Sequence, residues 1–478
     1  MPLPERGLPA EMILRTLESY RQHDVPWREG AVFAGVYDPG PEVEELIKRA
    51  YMLFLSENAL YPNYFPSLLQ MENDVVRILA DLLGGDQTVV GNCTSGGTES
   101  IMLAVKAARD KARAERPGLG EPELVLPQTA HAAFHKAAHY LGVRPVVTPF
   151  DPHTFRADPE AMRQAITPNT ILLVASAPCY SHGVVDPIGP IAALAQEHGL
   201  PLHVDACVGG IHLSIMRRLG EPVPPFDFSV PGVTSISVDM HKYGYAAKNA
   251  SAVLYRDRAL RRYALFSSAG TTGYAVINPT VLSSKSGGPL AGAWATLHAL
   301  GEEGYRRIVR EVTDATRRLV AGVDAIDGLR VLGQPDMCLF AFASDRVNVF
   351  ELDDELVRRG WWLQPQFSAG GGPANLHLTV NRSNVARVDA LLADLRDSVA
   401  ALTARGGDGP SEAGALGAEV QRLMTNPGPD TFGQIAALAG LAPGAMPTSF
   451  ARINAVLDAL PDPVVDALLV EYLNSLYG

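Results

Sequence analysis

The stretch SISVDMHKYGYAAKNASAVLYRD, residues 235–257, places charged side chains between two apolar runs. The first run is strand-like and stops at Asp239, and the second begins at Ala252. His241 and Lys242 follow the first run directly. Because lysine is rarely buried without a partner, a lysine at the end of a buried strand is either a surface residue that reaches solvent along its stem or a chemically active amine.

The surrounding sequence alternates apolar runs with helical segments. The strand-like runs are LVLP, PVVTP, ILLVASA, PLHVDA, SISVD and SAVLYR, which begin at residues 124, 145, 171, 201, 235 and 251. Strands that are apolar throughout, with helices between them, are typical of a mostly parallel sheet that is covered on both faces. We therefore predict an α/β fold in which ligands bind beyond the carboxyl ends of the strands.

The length predicts more than one structural unit. The chain has 478 residues, whereas a single hydrophobic core stops growing near ~250–300 residues. We predict an N-terminal arm with helices at 1–85, a large domain at 86–295, a small α+β domain at 296–404 and a helical extension at 405–478. The segment ARGGDGPSEAG, residues 404–414, has the composition of a linker.

Charge and cysteine content limit the function classes. A net charge of −12 leaves no basic stripe to displace the counterions of a nucleic acid, so we expect no nucleic-acid partner. No window approaches the ~20 continuous apolar residues of a membrane span, and the N-terminus lacks the apolar stretch of a signal peptide. The four cysteines show no C-x-x-C spacing. We therefore expect reduced thiols, no metal site and a cytoplasmic protein.

Two further segments should meet Lys242 at the same edge of the sheet. CTSGGTES, residues 93–100, opens a helix, and the free N–H groups around Gly97 and Thr98 could bind an anion; the alternative is an ordinary helix start with glycine for close packing. Asp205 ends another strand, where a buried carboxylate needs a cation or several hydrogen bonds; the alternative is a helix cap or a structural ion pair.

An anion cradle, a carboxylate and a strand-end lysine together match pyridoxal phosphate. The cradle would bind the phosphate, and Asp205 would keep the pyridine nitrogen protonated, which makes the ring an electron sink. Lys242 would form the Schiff base with the cofactor. We expect burial to lower the proton affinity of Lys242 and so to make its amine nucleophilic.

These segments resemble the fold-type I pyridoxal-phosphate enzymes of the group II decarboxylase superfamily, and most closely the sphingosine-1-phosphate lyase branch. The resemblance is carried, in the family's order and spacing, by CTSGGTESIMLAVKAARD, PQTAHAAFHKAAHYLGV, SAPCYSHGVVDPI, HVDACVGG, SVDMHKYGYAAKNASAVLY and GYAVINPTVLSSKSGG. It extends over residues 30 to about 400. It implies an aspartate aminotransferase-like fold with a large domain and a small C-terminal α+β domain.

The resemblance also implies roles for individual residues. The cofactor-binding residues would be Gly97, Thr98, His131, Asp205, Cys207, Ser237, His241, Lys242 and Gly288. Among these, Lys242 would bind the cofactor covalently, Asp205 would pair with its ring nitrogen and His131 would stack on its ring. Tyr245 and Lys248 match residues that line the active site and complete the catalytic set. Gly288 would reach the cofactor phosphate of a neighbouring subunit, which implies a homodimer with shared active sites.

The choice of reaction depends on whether the site must bind an α-carboxylate. Cleavage of a phosphorylated sphingoid base into a fatty aldehyde and phosphoethanolamine needs no such site, whereas a decarboxylase or an aminotransferase often binds the carboxylate with arginine. The segment WWLQPQFSAGGGPANLHLTVN, residues 361–381, contains no arginine, although Arg382 follows it. The lack of arginine in this segment favours the lyase reaction, which would place the protein in sphingolipid metabolism. An aromatic or acidic amino-acid decarboxylase stays as the alternative, and a silent cofactor-holding scaffold would not need a nucleophilic lysine.

One position departs from the pattern of the family. The family usually has arginine where Lys285 stands. An ammonium is a point charge, whereas a guanidinium binds phosphate through a planar fork. This difference leaves the expected cofactor chemistry unchanged and bears on the natural substrate.

Overall fold

A large sheet supplies the edge at which the predicted site residues lie. The computed structural model describes residues 3–270, 273–405, 410–425, 431–438 and 450–476. In spatial order its largest sheet contains β1 (Val90–Thr94), β7 (Ser251–Tyr255), β6 (Val233–Asp239), β5 (Leu202–Asp205), β4 (Thr170–Ser176), β2 (Glu123–Pro127) and β3 (Arg144–Thr148). Strand β7 is antiparallel to both of its neighbours, and the other pairs are parallel. The prediction of an α/β fold with a mostly parallel sheet is therefore confirmed.

Helices precede the sheet and alternate with its strands. In chain order they are α1 (Ala10–Tyr20), α2 (Pro41–Leu53), α3 (Pro66–Leu82), α4 (Gly97–Glu115), α5 (Ala133–Leu141), α6 (Pro159–Ala165), α7 (Ile188–Glu197), α8 (Gly210–Arg218) and α9 (Arg258–Arg261). Short 3₁₀ turns at Arg21–His23 and Trp27–Glu29 follow α1. The sheet is covered on both faces, because Leu124 and Leu126 of β2 belong to one apolar cluster while Val125, between them, belongs to another.

A smaller α+β unit follows the large sheet. The strands β8 (Phe266–Ser268) and β9 (Val276–Asn278) form a hairpin before it. Its elements are α10 (Gly288–Asp324), β10 (Leu329–Val331), β11 (Leu339–Ser344), α11 (Val349–Arg358), β12 (Gln364–Gln366), β13 (Asn375–Thr379), a 3₁₀ segment (Arg382–Arg387) and α12 (Val388–Arg405). The four strands form an antiparallel sheet in the order β10, β11, β13, β12. Gly301 interrupts α10 with a non-helical backbone conformation.

Among the described residues near the C-terminus lie four more helices: α13 (Pro410–Thr425), α14 (Thr431–Leu438), α15 (Ala451–Asp458) and α16 (Asp462–Leu476). The predicted linker at 404–414 is too long, because α12 continues to Arg405 and α13 already begins at Pro410. The remaining part of that linker, residues 406–409, lies outside the described residues. None of the helices in the described ranges combines the length and the apolarity that crossing a bilayer requires.

Candidate active site

Lys242 lies in a tight turn that begins where β6 ends. Its carbonyl oxygen accepts a hydrogen bond from the amide of Tyr245 at 2.9 Å, and Met240 accepts one from Ala246 at 2.9 Å. A side chain at Gly244 would not fit in this turn, since a Cβ there would lie 2.5 Å from the carbonyl oxygen of Met240. The turn folds the chain back on the strand, so Lys242 Nζ comes within 2.9 Å of Asp239 Oδ2.

The ion pair between Lys242 and Asp239 sets the protonation of both groups. Burial alone would lower the pKa of Lys242, but the negative charge of Asp239 outweighs it, and the pKa is raised above its ordinary value. Burial alone would raise the pKa of Asp239, but the charge of Lys242, followed by that of His241, holds it below its ordinary value. The expectation that burial lowers the proton affinity of Lys242 is therefore wrong for this arrangement, because a carboxylate lies in direct contact.

The start of α4 lies beside this pair. No side chain caps the helix at Gly96. A Cβ built on Gly97 would meet Cys207 Sγ at 2.8 Å and Asp239 Oδ2 at 2.9 Å, so this glycine allows the helix to approach both groups closely. At Gly96 a Cβ would meet the ring of His241 at 3.8 Å and no other atom of the described residues within 4 Å. First-turn amides that carry no side-chain cap and have space before them fit an anion such as a phosphate.

Asp205 is held at the end of β5 by its neighbours. It is buried, and its Oδ1 accepts hydrogen bonds from the amide of Cys207 at 3.0 Å and from Ser237 Oγ at 3.1 Å. Because Oδ1 accepts both of these hydrogen bonds, the other carboxylate oxygen, Oδ2, can face a cation. His203 lies within 3.2 Å of Ser237 Oγ through Nε2. Burial lowers the pKa of His203 to about 4, so its ring is neutral near pH 7.

His131 lines a cavity of about 290 Å³ between the large sheet and the small unit. Its Nδ1 accepts a hydrogen bond from the amide of Ala133 at 3.1 Å, which fixes the ring orientation. Tyr180 lines the same cavity and donates from its hydroxyl to Gln364 Oε1 at 2.5 Å. Burial raises the pKa of Tyr180, and the charge of Lys242 acts in the opposite direction. Tyr180 therefore belongs both to the cavity lining and to the electrostatic surroundings of Lys242.

Tyr245 and Lys248 occupy different surroundings. Tyr245 is buried, with a positive φ of 61°, and its ring packs edge-on against Tyr243 rather than on the cavity wall. Lys248 Nζ donates to the carbonyl oxygen of Gly35 at 3.1 Å and lies 5.2 Å from the ring centre of Tyr37. Burial, followed by the charge of Lys242, lowers the pKa of Lys248. Lys248 therefore belongs to the electrostatic surroundings of Lys242.

Gly288 is the first residue of α10. Its amide donates to Ser286 Oγ at 3.0 Å, and a Cβ there would lie 2.6 Å from the ring of Tyr51. The nearby Lys285 Nζ contacts the carbonyl oxygen of Cys93 at 3.3 Å, at the end of β1. Within one chain, this segment contacts the N-terminal helices and, through Lys285, the end of β1.

Sequence reasoning missed three residues of the site. The sequence pattern marks Asp239 only as the end of a strand, although an acid three residues before a lysine can pair with it when a turn follows. Tyr37 is buried, which raises its pKa, and the charge of Lys242 acts in the opposite direction. Tyr180 lies in the quoted segment SAPCYSHGVVDPI without a distinctive spacing. The two tyrosines are far from Lys242 in the chain, so no local pattern identifies them.

The fold and this site together define a pyridoxal-phosphate enzyme. Residues 26–344 match the model of the pyridoxal-dependent decarboxylase conserved domain, and the chain belongs to that family. Its cofactor is pyridoxal phosphate. Residues 398–475 match a second model, described as "Pyridoxal-dependent enzyme, C-terminal putative HTH domain".

Individual relatives narrow the comparison. The sphingosine-1-phosphate lyase of Arabidopsis thaliana is 38% identical over 99% of this chain and 81% of its own. The solved structure of the sphingosine-1-phosphate lyase of Burkholderia pseudomallei has a TM-score of 0.81 at 36% identity and covers 90% of this chain and 98% of its own. A glutamate decarboxylase of Lactobacillus brevis has a TM-score of 0.74 at 21% identity, over 84% of this chain and 95% of its own, and shares the fold alone.

Proposed function

We propose that the protein is a carbon–carbon lyase that cleaves the Cα–Cβ bond of a phosphorylated sphingoid base. The products are a fatty aldehyde and phosphoethanolamine. The observation that carries this proposal is the cavity at His131, where the lining residues that the structure describes include no arginine to bind an α-carboxylate. The similarity to sphingosine-1-phosphate lyases over most of the chain supports the same substrate class.

The residues around Lys242 fit the cofactor. When bound, pyridoxal phosphate supplies an electron sink for the charge that develops at the substrate's Cα. In our proposal the first-turn amides at Gly97 and Thr98 bind its phosphate, and Lys242 Nζ binds it covalently. Asp205 holds the ring nitrogen protonated. Ser237 holds Asp205 in place through its hydrogen bond to Oδ1, which leaves Oδ2 for this contact.

His131 and Lys248 are the residues we assign to the reacting groups. Since Nδ1 of His131 accepts a hydrogen bond from the amide of Ala133, Nε2 is the ring nitrogen left to donate. We propose that this ring packs against the cofactor. Lys248, whose pKa is lowered by burial and by the charge of Lys242, is a candidate to take the proton of the β-hydroxyl. Tyr245 supports the turn that carries Lys242, because its amide donates to the Lys242 carbonyl oxygen.

Product analysis tests the proposed reaction. We expect the purified holoenzyme to convert a phosphorylated sphingoid base into a long-chain aldehyde and an equal amount of phosphoethanolamine. The alternative, an amino-acid decarboxylase, would instead release carbon dioxide from an aromatic or acidic amino acid. Carbon dioxide release without aldehyde formation would refute the lyase proposal.

Loss of the covalent bond tests the role of Lys242. We expect Lys242→Ala to lack the imine absorbance of the bound cofactor, because no other amine would replace it. Lys136→Ala, a change at an exposed lysine on α5, is the matched control and should keep the absorbance. An imine band in Lys242→Ala would mean that another lysine binds the cofactor.

We also propose a homodimer that shares its active sites. Large apolar side chains are exposed in the N-terminal helical region and in the residues that precede Gly288: Met52, Leu53, Tyr64, Phe266, Ile277 and Val281. Exposed apolar surface of this kind is typical of an interaction site. Light scattering should therefore give a mass of twice 51.1 kDa, and a fully active monomer would contradict the proposal.

A reducing compartment such as the cytoplasm fits the cysteines. Cys93, Cys179, Cys207 and Cys338 are all buried and unpaired. Burial raises the pKa of the Cys207 thiol well above its ordinary value, which keeps it unreactive. We propose the cytoplasm on this basis, and localisation of the tagged protein in its host would test it.

A further inference from the structure

The loop of residues 367–372 forms one wall of the cavity, and three of its residues line it. The tip of the loop crosses to the opposite wall. A Cβ built on Gly370 would lie 2.4 Å from the ring of Phe150 and 2.6 Å from Gln128 Oε1, and Gly370 has a φ of +57°. At the base of the loop, Phe367 packs edge-on against Phe350 of α11. The position of this loop therefore sets how closed the cavity is.

Helix α15 holds the loop from its outer side. Ser368 donates two hydrogen bonds to Asp458 Oδ1, one from its amide at 2.5 Å and one from its hydroxyl at 2.9 Å. Asp458 is the last residue of α15. At the other end of the helix, Asp354 of α11 accepts hydrogen bonds from the amides of Phe450 at 2.9 Å and Ala451 at 3.1 Å. The helix is thus tied at both ends to the unit that carries the cavity loop.

Apolar packing joins α15 to two clusters. Ala451 and Ala455, one helical turn apart, pack against the main core. Val456 belongs to a separate cluster with Val420 of α13 and Ile435 of α14. The helix therefore connects the C-terminal helices to the small unit, and Asp458 lies where this connection meets the cavity loop.

We propose that Asp458 is a positioning residue for substrate binding. By holding Ser368, it keeps residues 367–372 against the cavity, and the C-terminal helices thereby act on a site to which they contribute no lining residue that the structure describes. The proposal rests on the proposed function in one respect, which is that the cavity receives the substrate. A carboxylate suits this contact because it accepts both hydrogen bonds of Ser368 with a full negative charge.

The experiment compares loop exchange and kinetics in the holoenzyme. The variants are Asp458→Ala, Asp458→Asn and Ser368→Ala, with Asp466→Ala on the exposed side of α16 as the matched control. Loss of both charge-assisted bonds in Asp458→Ala should speed amide hydrogen exchange of residues 369–372 about tenfold. Ser368→Ala keeps the amide bond and should give a smaller increase, and Asp458→Asn should fall between wild type and Asp458→Ala.

The kinetic arm uses a phosphorylated sphingoid base. We expect KM to rise several-fold in Asp458→Ala while kcat changes less than twofold, and Asp466→Ala to match wild type in both. A purely structural defect would instead lower the active fraction, and thus kcat, with KM unchanged.

Three outcomes would decide against the proposal. Unchanged exchange in Asp458→Ala would show that Asp458 does not hold the loop, and faster exchange with an unchanged KM would show that the loop does not affect binding. If Asp458→Ala does not fold, the proposal is tested with Ser368→Ala alone. A Ser368→Ala variant whose loop exchange and KM both equal those of wild type would then refute the proposal. A wild-type enzyme that makes no aldehyde would refute the proposed function instead, and the exchange data would still show whether Asp458 holds the loop.

Discussion

Replacing Asp239 by asparagine removes the charge that keeps Lys242 protonated. Lys242 Nζ lies 2.9 Å from Asp239 Oδ2, and Asp239 is only 2% exposed. Two unit charges about 4 Å apart interact by about 4 kcal/mol at an effective dielectric constant near 20. Because Lys242 is partly exposed and asparagine keeps an amide oxygen, the interaction energy lost in Asp239→Asn is smaller, and we take it as about 3 kcal/mol. Since 1.4 kcal/mol is a factor of ten, Asp239→Asn should raise the neutral fraction of the amine about a hundredfold near pH 7.

The rate at which the covalent bond with the cofactor forms measures the neutral fraction of the Lys242 amine, because only the neutral amine attacks an aldehyde. Cofactor-free protein is mixed with saturating pyridoxal phosphate, and the growth of the imine absorbance is followed between pH 6 and pH 10. Saturation separates the covalent step from phosphate binding, which the lost charge also affects.

The rate in Asp239→Asn should level off at a lower pH than in wild type and should be faster near pH 7. Asp462→Asn, at an exposed position in the first turn of α16, removes one charge elsewhere and should leave the profile unchanged. If the profiles of Asp239→Asn and wild type coincide, then Asp239 does not control the protonation of Lys242, and the explanation given for the raised pKa is wrong.

Two other substitutions test the surroundings of the site and the stability of the small unit. Gly97→Ala should weaken cofactor binding at least tenfold in an absorbance titration, because the new Cβ would lie 2.8 Å from Cys207 Sγ. The control Gly189→Ala, which has open space around the new Cβ, should not change the titration. Burial, followed by the charge of a neighbouring carboxylate, raises the pKa of Asp353 to about 7. The contribution of the Asp353 side chain to stability is therefore complete below its unfolded pKa near ~4, and it is lost as the pH rises through 7. Asp353→Asn should therefore gain stability relative to wild type between those pH values, by up to about 4 kcal/mol, in denaturant unfolding; a difference that does not vary with pH, or an equal gain in the exposed Asp397→Asn control, would contradict this.

The fold and the general location of the site could be predicted from local properties of the sequence. A strand buried on both faces is mostly apolar, so the runs at β2, β4 and β7 are visible in the sequence without any knowledge of their partner strands. A charged residue directly after such a run is expected at the edge of the sheet, and on this basis the sequence predicts that Asp205 and Lys242 share one edge. The start of α4 at Gly97 follows from the same kind of local signal.

Only the tertiary structure determined which side chains contact each other within the site. Lys242 pairs with Asp239 because the turn closed at Gly244 folds the lysine back on its own strand, and strand periodicity carries no information about that turn. Tyr180 and Asp458 reach the cavity or its loop from distant segments, and Tyr245 points into the core although it lies only three residues after Lys242. Such contacts arise when separate elements pack, so side-chain direction and charge pairing, which set the pKa of Lys242, were decided only by the folded chain.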